Sequence, residues 1–191
     1  MSFKPSTHHR RSIRLQDYDY SQAGAYFITI CTQGRECNLG VIENGTMNLS
    51  SAGECVYTQW HDLPKRFPNI SLDAFIIMPN HLHAILVINP VGALLAAPLS
   101  NIAPGKDAPS KGAASSAPTV GEIIRAFKSL TAIAANRLLN RVGQPFWQRN
   151  YWEHVIRDEE EWQTIREYIH HNPQQWKQDR LYMATGNGNE E

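Results

Sequence analysis

A proline–asparagine pair interrupts what would otherwise be one long apolar run, and it narrows the folds open to this chain more than any other feature. Leu72 to Met78 is apolar enough for a central strand, Pro79-Asn80 breaks it, and His81 to Ile88 resumes as a second strand. Proline cannot donate to a strand ladder, so the chain turns there. A connection this tight joins strands that run antiparallel.

The flanking segments extend the pattern. Ala25 to Thr32 is β-branched and aromatic, bounded by Gly24 and Gly34, and reads as a strand. Leu39 to Ile42 and Thr46 to Leu49 flank Asn44-Gly45, a hairpin turn signal. Ser50 to Glu54 opens a helical pattern with serine as the cap, carried on by Val56, Trp60 and Leu63 and stopped by Pro64 and Pro68. Thr119 to Leu139 predicts a long helix with Ile123, Ile124, Phe127, Leu130, Ile133, Ala134 and Leu138 on one stripe. Thr119 and Glu122 form its capping pair, and Gly143 and Pro145 close it. Phe146 to Ile156 predicts a further strand. A last helix starts near Asp158, its cap, and runs to about His171 before Pro173, with Trp162, Ile165 and Ile169 as its packing stripe.

In order these are strand, helix, strand, strand, helix, strand, helix. The class is α+β: a ferredoxin-like βαββαβ antiparallel sheet with helices on one face, plus a C-terminal helix. Residues 1–24 are a basic N-terminal segment and residues 25–182 one domain. The stretch of about 89–118, rich in Ala, Pro, Ser and Gly, is expected to be a flexible insertion, and 183–191 a disordered tail.

At 191 residues and 42% apolar composition the chain can bury one sizeable core. No run of 18 apolar residues occurs, so no membrane span is expected. The opening residues 1–14 are polar and basic without the apolar middle of a secretory signal, and Cys31, Cys37 and Cys55 fit neither an even disulfide set nor a CxxC pair. A cytoplasmic protein with reduced thiols is the expectation. With 18 basic and 18 acidic side chains the net charge is zero, which excludes a histone-like binder and leaves room for a local basic cleft. Arg10, Arg11 and Arg14 cluster near the start, and Arg125, Lys128, Arg137 and Arg141 recur on one later segment.

Two clusters bear chemistry. Side chains two apart on a strand share a face, so His81 and His83 stand side by side while Leu82 turns to the core. Two neutral imidazoles there can share a divalent ion; the same pair could also be two polar residues on a half-exposed strand. On the last helix Tyr168 and Asn172 are one turn apart, with His171 beside the tyrosine. The amide oxygen of Asn172 suits Mg²⁺ or Mn²⁺. A packing role for Tyr168, helix-end roles for His170 and His171, and a structural role for Glu153-His154 are the plain alternatives.

Four segments carry a resemblance to a known family: Tyr26-Phe-Ile-Thr-Ile-Cys-Thr32, Met78-Pro-Asn-His-Leu-His-Ala84, Phe146-Trp-Gln-Arg-Asn-Tyr-Trp-Glu-His-Val-Ile-Arg-Asp158 and Tyr168-Ile-His-His-Asn-Pro173. In their order and spacing, over about residues 10–182, the chain resembles the IS200-like single-tyrosine HUH transposases, and within them the REP-associated tyrosine transposases. The resemblance implies the HUH fold, Tyr168 as nucleophile, and a divalent metal, Mg²⁺ or Mn²⁺, held by His81, His83 and Asn172. Better-known insertion-sequence relatives carry Gln where this chain has Asn172, as the REP-associated group does. It further implies a metal-dependent endonuclease and transposase that cleaves and rejoins single-stranded or hairpin DNA through a 5′-phosphotyrosine, working as a monomer or homodimer. His171 is a candidate general base beside bound water. Arg10, Arg11, Arg14 and Arg149 are candidates for phosphate contact. Trp147 and Trp152 are candidates for base stacking, with a core role for at least one of them. A non-catalytic nucleic-acid-binding module of the same fold, or an HUH replication initiator, are the rival readings.

Overall fold

The computed structural model describes residues 22–90 and 118–183. Arg10, Arg11 and Arg14, nearly all of the insertion, and the tail beyond Met183 lie outside the described residues. In chain order the elements are β1 (Gly24–Cys31), β2 (Gly40–Glu43), β3 (Thr46–Leu49), α1 (Ser51–His61), α2 (Leu63–Arg66), β4 (Ile70–Met78), β5 (His81–Ile88), α3 (Val120–Leu138), β6 (Trp152–Ile156) and α4 (Glu159–His171), followed by a 3₁₀ segment, Asn172–Gln178. The main sheet is antiparallel in the order β4-β5-β1-β6, the ferredoxin-like arrangement, while β2 and β3 form a separate hairpin. Asn44 and Gly45 turn that hairpin with positive φ at both positions. No described helix is long and apolar enough to cross a membrane.

Both faces of the sheet are covered, which is why its central strands read as almost unbroken apolar runs. Tyr26, Ile28 and Ile30 of β1 and Leu82, Ala84, Leu86 and Ile88 of β5 face a core shared with α1 and α3. The alternate residues Ala25, Phe27, Ile85 and Val87 face Trp162, Ile165 and Ile169 of α4 on the opposite side. A bulge between Leu72 and Phe75 shifts the alternation of β4, so Leu72, Phe75 and Ile77 all reach the first core while Ala74 and Ile76 reach the second.

The residue within that bulge, Asp73, clamps α4. Arg166 donates to it from both Nε and Nη2, the closer contact at 2.6 Å, and the indole N–H of Trp162 donates to the same carboxylate. The Arg166 guanidinium also lies 5.3 Å over the Trp162 ring. Asp158 caps the helix by accepting the Glu161 N–H at 2.8 Å. Cap and clamp together fix the rotation of α4 about its axis, and with it the direction of Tyr168.

Three elements depart from the sequence reading. Phe146 to Ile156 is not one strand: Trp147 makes a single bridge with Thr32, and the ladder resumes only at Trp152. Between them the carbonyls of Gln148, Arg149 and Asn150 turn to the Lys128 ammonium, at 2.6, 3.0 and 3.4 Å. On α3 the buried stripe runs through Val120, Ile123, Ile124, Phe127, Thr131 and Ala135, and Leu130, Ile133 and Leu138 are exposed. Thr131 takes the inward place because its hydroxyl accepts the Trp147 indole N–H at 2.8 Å. Pro64 does not end α1; it lies in the first turn of α2, where its missing N–H is not needed.

Helix α1 approaches so closely that a Cβ at Gly53 would stand 2.1 Å from the Leu39 carbonyl oxygen. Replacing a helical glycine by alanine ordinarily stabilises by up to ~1 kcal/mol. Here Gly53→Ala is expected to lower unfolding stability by about 1–3 kcal/mol, the usual range for overpacking, as measured by urea denaturation. A neutral or stabilising result would mean that α1 sits further from Leu39.

Candidate active site

His81 and His83 open β5 immediately after the Pro79-Asn80 turn, on the face that α4 covers. Their side chains are 0% and 3% exposed, and their Nε2 atoms lie 3.0 Å apart. Each ring is oriented through its other nitrogen. His83 Nδ1 is 2.8 Å from the hydroxyl of Thr29, its register partner on β1, and His81 Nδ1 is 2.7 Å from Asn80 Oδ1. Asn80 Nδ2 donates to the Leu181 carbonyl at 2.8 Å, so Asn80 Oδ1 is the acceptor and His81 Nδ1 the donor. The lone pair of His81 is thereby left on Nε2, directed at His83. Burial holds both rings neutral: His81 is pushed down to about 3, with the Arg35 charge adding to the effect. His83 falls well below the usual histidine range through burial and then through His81, with Asp179 opposing.

Helix α4 and the 3₁₀ segment bring the remaining groups. The Tyr168 hydroxyl lies 3.2 Å from His83 Nε2, and its ring stands edge-on to Phe27 at 6.0 Å and 86°. Tyr168 is 44% exposed, so the phenol has one side against the histidines and one open. Its pKa is raised above the ordinary phenol value by burial and then by the Asp179 charge, against the lowering effects of the Asn172 side chain and of Arg180. Asn172 is buried and its Oδ1 has no hydrogen-bond partner. Such an orphaned acceptor costs about 1–3 kcal/mol unless something electropositive meets it.

Asp179, just past the 3₁₀ segment, completes the group. Its Oδ2 is 3.8 Å from His81 Nε2, while its Oδ1 accepts the Leu181 N–H at 2.6 Å. One donor atom from each of His81, His83 and Asp179 falls within 4.8 Å of the others, a cluster that can hold a metal ion. Sequence reasoning did not find Asp179. It lies beyond Pro173, where the helical pattern ends, and no spacing rule ties it to the histidines. Thr29 was within reach of register reasoning, and Asn80 was read only as part of a break.

These groups open onto a cleft of about 600 Å³ whose wall includes Phe27, Thr29, His83, Trp152, Tyr168 and Arg180. Other expected residues sit differently. Trp147 is 6% exposed and hydrogen-bonded to Thr131, so it is a core residue with no open face for a base; Trp152, 41% exposed, lines the cleft instead. Arg149 is exposed but is not among the cleft-lining residues, and the arginine of the cleft is Arg180. His171 turns its Nδ1 to the Glu167 carbonyl at 2.8 Å and does not line the cleft, so the general-base expectation gains no support. Glu153 and His154 alternate across β6 and engage different partners, Tyr151 at 2.7 Å and Glu161 at 2.6 Å.

No family model matches the chain. A Haemophilus influenzae protein described as uncharacterised is 43% identical over 182 residues, covering 95% of this chain and 97% of its own. Among solved structures, a REP-associated tyrosine transposase bound to a REP hairpin is similar with a TM-score of 0.51 at 15% identity, over 85% of this chain and 73% of that one. A Deinococcus radiodurans protein with the provisional description of transposase is similar at 15% identity over 82% of this chain and 95% of its own, with a TM-score of 0.46. By sequence the chain belongs to the family of the Haemophilus influenzae protein, and its fold is that of a REP-associated tyrosine transposase.

Proposed function

We propose that this chain is a metal-dependent single-tyrosine HUH transposase that cleaves and rejoins single-stranded, hairpin-flanked DNA through a 5′-phosphotyrosine. The observation that carries the reading is the 3.2 Å between the Tyr168 hydroxyl and His83 Nε2, which brings the candidate nucleophile to the candidate metal ligands. The transposase that shares the fold is bound to a REP hairpin, which supports DNA of that kind as the partner.

His81, His83 and Asn172 would hold Mg²⁺ or Mn²⁺, with Asp179 placed to join them or to orient the set. Two neutral imidazoles, an unpartnered amide oxygen and a carboxylate bring lone-pair donor atoms and no positive charge, and so fit a divalent cation. Such an ion supplies Lewis acidity to a non-bridging phosphate oxygen and favours the phenolate. Tyr168 Oη then bonds to phosphorus as the P–O3′ bond breaks, giving a free 3′-hydroxyl and a phosphotyrosine. The phenol proton passes to solvent on the exposed side of the ring, and the departing 3′-oxygen takes one proton from solvent, so the step balances. One phosphodiester replaces another, so the reverse attack by a second 3′-hydroxyl rejoins strands without an energy source. Arg180 is the cleft cation placed to meet phosphate.

With Mn²⁺ and 3′-end-labelled hairpin DNA, the protein is expected to form an adduct that survives denaturation and is resolved on a denaturing gel. Tyr168→Phe should abolish the adduct and leave gel-shift binding unchanged. Persistence of the adduct in that variant would place the nucleophile elsewhere.

A second measurement isolates the metal. At 100 times its Kd, Mn²⁺ should stabilise the protein by ~2.7 kcal/mol. For a chain of this size that is a rise in Tm of about 5–10 °C. His83→Ala should remove most of the rise, and Asp179→Asn should weaken Mn²⁺ binding about 10- to 100-fold. An undiminished rise in His83→Ala would mean that the ion binds elsewhere.

A further inference from the structure

We infer that the outer wall of the cleft is a subsite for one unpaired nucleobase, with the indole of Trp152 as its platform. The inference rests on the reading of the cleft as a DNA-processing site, and it names the chemistry recognised beside the reactive group.

Strand register places the indole. Thr29 of β1 pairs with His83 on one side and with Trp152 on the other, so the three form one row across the sheet, all on the α4 face. With strands about 4.8 Å apart, the Trp152 backbone stands roughly 10 Å from that of His83. The interior of this face is closed by α4, where Phe27, Ile85 and Ile169 are buried, but its margin at Trp152 is open.

The indole is also held. Phe27 meets it edge-on at 5.4 Å and 76°, and the His154 ring lies nearly parallel at 5.8 Å and 7°. His154 Nε2 is 2.6 Å from Glu161 Oε1, and the other oxygen of Glu161 accepts the Arg157 N–H at 2.8 Å. The platform is therefore tied to the capped first turn of α4 and pays little ordering entropy when a flat ligand meets it. Phe27 stands edge-on to Tyr168 as well, so the two exposed rings flank it and share the cleft. A phosphodiester at the Tyr168 hydroxyl would put the base of a flanking nucleotide within reach of Trp152, with Asn150 and Gln148 in the same wall to meet its polar edge. A paired base has its faces occupied by its neighbours; an unpaired base can offer one to the indole.

The test is equilibrium binding of the full-length protein to a fluorescein-labelled hairpin with a single-stranded flank, read by anisotropy. Trp152→Ala should weaken binding roughly 5- to 150-fold, the factor that stacking of one base on an aromatic ring supplies, and Trp152→Phe should recover most of it. Oligonucleotides made abasic at each flank position in turn should show one position that weakens wild-type binding by the same factor and costs Trp152→Ala nothing more. Unchanged affinity in Trp152→Ala overturns the inference. So does a Trp152→Ala deficit that persists whichever base is removed. A wild-type protein that binds DNA but forms no covalent adduct would sink the cleavage reading alone, because the binding cycle is measured without cleavage.

Discussion

The register between β1 and β5 is the constraint on which the site depends. Eight residue pairs, from Gly24 with Ile88 to Cys31 with His81, set Thr29 opposite His83 and send both histidines to the α4 face. A slip by one residue would turn Leu82 toward the cleft and drive two polar rings into the apolar layer beneath α1 and α3. Because both faces of these strands are buried, the slip is resisted twice: by apolar groups lost from one core and by imidazoles desolvated in the other. The site thus inherits its precision from the core rather than from its own few hydrogen bonds.

The tyrosine arrives by a separate route. Nothing in the sheet register dictates how α4 is rotated, and its apolar contacts through Ile165 and Ile169 would tolerate some roll. The directional element is the Asp73 carboxylate, which takes three donors from α4 and is presented by the bulge of the edge strand β4. The pair is only partly shielded from water, with side chains 31% and 19% exposed, so its contribution to stability is modest. Its consequence is orientation. Several charge-assisted bonds on one carboxylate define an angle that dispersion contacts alone leave loose.

Much of this was legible in the sequence, because it depends on local periodicity. Two-residue alternation placed His81 and His83 on one face, four-residue spacing paired Tyr168 with Asn172, Thr119 and Asp158 cap the helices they were assigned, and of the two serines open as the cap of α1 it is Ser50 that serves. What escaped depends on contacts between distant segments. Asp179 reaches His81 only because the 3₁₀ segment folds the chain back over the site. The inward face of α3 includes Thr131 because Trp147 needs an acceptor, a pairing that hydropathy cannot weigh. Trp147 and Trp152 look equivalent in sequence, yet the three carbonyls gathered by Lys128 take the chain out of the ladder between them, and one indole ends in the core and the other in the cleft.

The same contacts set how readily the Tyr168 phenol ionises. Burial and the Asp179 carboxylate both disfavour the phenolate of Tyr168, and the histidines beside it are held neutral, so they contribute no compensating charge. Arg180 opposes these effects from the cleft side without cancelling them. On the proposed reading, the Asp179 carboxylate that makes the resting phenol a poorer nucleophile is also a group that would attract a cation, together with the orphaned Asn172 oxygen and the histidines. For Asp179 the electrostatic bias against ionisation and the affinity for a divalent ion then have one source. On that reading a tyrosine so placed ionises more readily when a cation is beside it, because the cation offsets the Asp179 charge that raises its pKa.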